Sequence, residues 1–245
     1  MLVAACISCA VEQEDHSLTL EEYMALGMPD PNRKWLMSDY VQARNVLSQL
    51  RWREPLQLPA KDSKKSGGLF EHMLSLEYLS FLGDTSMALH EKAMHIVEFV
   101  RVYEYWIEIY DVPILKKNHY HREIVALQLF NLRLMEAMLG LANQINESDD
   151  PADIALQYGY KAIKGNYLSA LDADLRTQRY GPPFLEHDLN RMADSIYASA
   201  MRNRSVLDSS EIGQLVKSLQ LVMDSTSSSH IRDKYSILLK ELKRV

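Results

Sequence analysis

The sequence predicts an all-α fold: an irregular multi-helix bundle of about eight or nine helices in a single domain over 17–245, or alternatively a short α-solenoid. Three observations carry that prediction. Apolar residues recur at three- and four-residue steps through most of the 245 residues, which gathers them on one side of a helix. Between those stretches stand capping residues, glycines and prolines of the kind that start and stop helices. No run alternates apolar with polar residues between turn dipeptides, as a half-buried strand does. With 47% apolar and 24% charged residues, the chain has the composition of one that buries a core.

Ser17 or Thr19, followed by Glu21 or Glu22, predicts a short first helix that ends at Gly27, Pro29 and Pro31. Trp35, Leu36, Tyr40, Ala43, Val46, Leu47 and Leu50 predict a second over 32–50, closed by Pro55 and Pro59. The polar stretch Pro59–Gly68 reads as a mobile loop. Leu69–Leu82 reads as one helix with Gly83 as its stop, and 86–110 and 117–145 read as two long ones. Apolar positions on more than one face put 117–145 at the centre. Ser148-Asp149-Asp150-Pro151 starts a helix predicted to run to 179, with Gly159 and Gly165 as candidate close contacts between helices. Further helices are predicted over 183–202, 209–223 and 229–243.

With 33 acidic against 27 basic residues, the net charge of −6 gives a nucleic acid no general attraction, so none is expected as partner. The doublets Lys64-Lys65 and Lys116-Lys117 and the C-terminal Lys240, Lys243 and Arg244 read as solvated charges. No run of eighteen apolar residues marks a membrane span.

Residues 1–16 read as a separate apolar tail that carries both cysteines. Val3-Ala4-Ala5-Cys6 resembles the lipobox of bacterial lipoproteins. The resemblance covers four residues and implies lipidation of Cys6, a membrane contact through that anchor alone, and a cell-envelope or periplasmic address. Only Met1 and Leu2 precede the motif, and the alternative is an apolar segment packed on a cytoplasmic domain, with Cys6 and Cys9 as small hydrophobes. Cys6 and Cys9 also have Cys-x-x-Cys spacing, without the βαβ pattern of a redox motif.

Candidate chemistry is sparse. His90 and His95 are five apart, rotated about 140° from one another, whereas the helical zinc-protease motif needs histidines four apart on one face. His119-Tyr120-His121 with Glu123 is the densest histidine cluster, without an identifiable third or fourth ligand. Asp149-Asp150-Pro151-Ala152-Asp153 resembles the Asp-Asp-x-x-Asp motif of the all-helical isoprenoid synthases, which implies magnesium held against a diphosphate. Pro151 instead places these carboxylates at a helix N-terminus, where they cap backbone donors. Glu98, Glu104 and Glu108 read as a solvated face, and no nucleophile elbow or phosphate-cradling glycine loop is present.

No catalytic residue, metal ligand or cofactor is therefore expected. The leading expectation is a non-catalytic protein-binding protein, in its narrower form an envelope lipoprotein or an immunity-type protein that neutralises a toxin or effector partner. The rivals are a metal-dependent helical enzyme and a cytosolic scaffold or regulator with a helix-in-groove partner. The expected contact residues are the large aromatics Trp35, Trp52, Tyr103, Tyr105 and Trp106, with the loop around Lys64–Gly68.

Overall fold

The computed structural model describes residues 15–53, 55–111, 120–180 and 184–244, and among them the chain is all-α with no strand. Cys6, Cys9, the lipobox-like tail and His119 lie outside the described residues. The helices are α1 (Leu20–Ala25), α2 (Met37–Leu50), α3 (Leu69–Met73), α4 (Leu89–Tyr110), α5 (His121–Asn146), α6 (Pro151–Ile154), α7 (Tyr160–Tyr180), α8 (Glu186–Asn203), α9 (Ser209–Ser225) and α10 (Ser229–Leu242).

Several ends follow their predicted caps. Thr19 and Glu22 form a reciprocal capping box at α1; α9 opens on a second one, between Asp208 and Glu211, that was not among the predicted caps. Asp150 caps α6, accepting the Ala152 N–H with Pro151 next in line.

Three predicted helices are shorter than their apolar patterns. The second begins at Met37 rather than 32, because Asp39 takes the Leu36 N–H and the Arg33 guanidinium and so fixes the helix start there. The 69–82 helix stops at Met73. Ser75 then accepts the Glu77 N–H and opens a 3₁₀ segment over Leu76–Gly83, since a serine side chain competes with the helical ladder. The 151–179 helix is broken between α6 and α7 by a turn and the 3₁₀ segment Gln157–Gly159. The break lets the Gln157 amide donate to the Ile145 and Ser148 carbonyls, which satisfies the end of α5.

The element at the centre is α5, with α4, α7 and α8 packed along it. It is the one described helix long and apolar enough to cross a membrane, and its apolar faces are occupied by those neighbours. From α5 onward, helices also pack on the next-but-one long helix: α5 on α8, α8 on α10, and α7 on α9, which sets up two layers. One continuous buried apolar cluster runs from Tyr23 to Leu242. Its densest part is aromatic, with Tyr40, Phe99, Tyr103, Trp106 and Phe130 in mutual edge or tilted contact between α2, α4 and α5.

Candidate functional site

Both α4 and α7 lie along α5, yet the two scarcely meet each other. Between them an open groove of about 390 Å³ runs over the C-terminal half of α5. Met138, Ala142 and Ile145 of α5 form its buried floor, while Val97 and the buried Val100 of α4, with Leu156 and Ile163, line its sides. The α4 wall extends from Ala93 to Glu104, about 16 Å at the helical rise. Polar groups are few and stand at the edges: Arg101, Glu104, Gln157 and Asn166.

Met94, on the α4 wall, is 60% exposed, an apolar side chain left open to water at the groove. Partial burial raises the Glu104 carboxyl above its ordinary range, and the nearby Glu108 charge adds to the effect.

At one end, α6 is tied down. Buried Asp153 accepts the Ser148 hydroxyl at 2.7 Å, and its other oxygen lies 3.5 Å from Nδ1 of His90. His90 thus stands at the helix interface. His95, five residues on, is exposed beside the Phe81 ring. Glu91 accepts the Ala88 N–H at the start of α4. The Asp149–Asp153 motif likewise does not converge: Asp150 caps a helix, Asp153 is buried on Ser148 and His90, and Asp149 is exposed. Glu123 is buried and accepts the Lys61 N–H, while His121 stacks its ring edge against Phe184. Among the described residues no three His, Cys, Asp or Glu side chains gather as a metal site would require.

The expected aromatic contact residues separate into core and surface. Trp35, Tyr103 and Trp106 are buried, the last two wholly, so they pack the interior and are corrected from partner contacts to core residues. Trp35 donates its indole N–H to the Asp30 carbonyl. Tyr105 is half-buried, with its hydroxyl beside Ser48 and the Arg44 guanidinium over its ring, which seals α4 against α2. Only Trp52 stands out from the surface, 69% exposed with Arg51 over its ring. Periodicity identified these rings as large and clustered; which way they face is set by the helices around them.

The predicted mobile loop at 59–68 is instead closely held. Tyr23 donates to the Gln57 carbonyl, Tyr120 to that of Leu56 and Tyr110 to that of Pro59. Lys65 reaches the Asp15 carbonyl, and Leu20 N–H binds the Lys65 carbonyl. Gly67 and Gly68 have positive φ, which lets the chain turn there into α3. Gly159 and Gly165 are not close helix contacts: a Cβ at either would meet open space, and Gly159 lines the groove.

Sequence reasoning missed the groove because its walls come from three separated helices and leave no local motif. The one available signal was the apolar Met94 and Leu156 set among exposed neighbours. Comparison with known protein families, with curated proteins and with solved structures finds no match.

Proposed function

We propose that the protein is a non-catalytic binding module that holds a helical segment of a protein partner in the groove between α4 and α7. The observation that carries this reading is that two helices share α5 as a floor without closing on each other, leaving an apolar slot about three helical turns long. An amphipathic helix fits such a slot, with anchors at i, i+3 or i+4 and i+7 pressed onto Val100, Met138 and Ala142. Methionines at 94 and 138 suit the role, since the unbranched thioether adapts to a partner's shape. The floor and the exposed Met94 would lose water together on binding.

Selection from a displayed library of amphipathic helical peptides tests the reading. Ala162, exposed on the α7 wall, is replaced by Arg to fill the slot without touching the core. Helical binders that recognise the native protein and are lost with Ala162→Arg support it. Recovery of no helical binder, or binders indifferent to Ala162→Arg, overturns it.

The cell-envelope address remains a proposal on the Val3–Cys6 motif, and a toxin or effector as partner is a narrower form of the same reading. Intact-mass analysis of protein from its native host addresses the anchor. An unlipidated chain that fractionates with the cytosol removes it and leaves the groove untouched.

A further inference from the structure

We draw no further inference here: the strongest candidate, the cavity of about 220 Å³ at the start of α10 lined by Arg179, Gln178 and the Ser225–Ser228 run, carries nothing because it is a helix N-terminus whose buried polar side chains, Gln178 and Ser228, already hold hydrogen-bond partners in Tyr235, Leu189 and Asn190, and nothing in the structure shows what would occupy it.

Discussion

The Asp153 carboxylate on α6 faces Nδ1 of His90 on α4 across 3.5 Å, with its second oxygen bound to the Ser148 hydroxyl. One buried acid thus joins the start of α4, the link after α5 and the short α6. That junction fixes the end of the groove at which Leu156 and Gln157 stand.

Asp153→Ala therefore removes the acceptor of the Ser148 hydroxyl and the carboxylate that faces His90, and loosens the α6 link. A loss of about 1–3 kcal/mol is expected in chemical denaturation. Amide exchange over 151–159 should quicken more than exchange in α10, since the tie is local. Uniform acceleration across both regions would argue that Asp153 acts only on global stability.

Asp174, buried on α7 beside Tyr235, supplies a pH dependence. Burial alone pushes its carboxyl up from 3.8 to about 8. Between those values the native state keeps a proton that the unfolded chain has released, so stability contributed by the neutral acid is full below about 4 and is lost as pH rises toward 8. The slope is at most about 1.4 kcal/mol per pH unit for one proton. Asp174→Asn should flatten the decline between pH 5 and pH 8 in urea titrations. Parallel curves for the two proteins would place the ionisation elsewhere.

The three tryptophans should answer differently to substitution and to quenching. Trp106→Ala opens the aromatic core and is expected to cost about 3–5 kcal/mol, whereas Trp52→Ala should stay within about 0.5 kcal/mol. Iodide should quench the native emission only in part, and Trp52→Phe should remove nearly all of the quenchable fraction. Quenching that survives Trp52→Phe would mean that Trp35 or Trp106 is reached by solvent.

Tyr120 gives a test of the 56–66 loop. Its hydroxyl donates to the Leu56 carbonyl at 2.9 Å and accepts the Leu58 N–H at 3.2 Å. Tyr120→Phe leaves both buried backbone groups short of a partner, at a cost of about 1–3 kcal/mol. Trypsin should then cut at Lys61, Lys64 or Lys65 several-fold faster than in the native protein. An unchanged digestion pattern would show that Tyr23 and Tyr110 hold the loop without it.

Much of the helix plan was legible because caps and periodicity act over a few residues. Thr19 with Glu22, Asp150 with Pro151, and Asp208 are local instructions, and the helices begin where they stand. The unbroken 69–82 and 151–179 helices were misread for the opposite reason. Ser75 and Gln157 interrupt patterns that remain apolar throughout, and the benefit of the second break lies at the end of α5, eleven to twelve residues away in sequence. The loop at 59–68 has the polar, glycine-rich composition of a free segment, but Tyr110 holds its Pro59 carbonyl, Glu123 accepts its Lys61 N–H, and Tyr23 and Tyr120 hold the carbonyls of Gln57 and Leu56 just before it.

By itself, the sequence determined that helices would form, roughly where each would start, and that α5 would be central, because these follow from residue spacing and from backbone groups that must be capped within a turn. Only the tertiary structure decided which aromatic rings face inward, that the Asp149–Asp153 carboxylates serve a helix end and a histidine, and that α4 and α7 stand apart over α5. The reason is physical: a groove is the space left between elements distant in the chain, so its shape depends on how whole helices settle against one another, and no single stretch of residues encodes it.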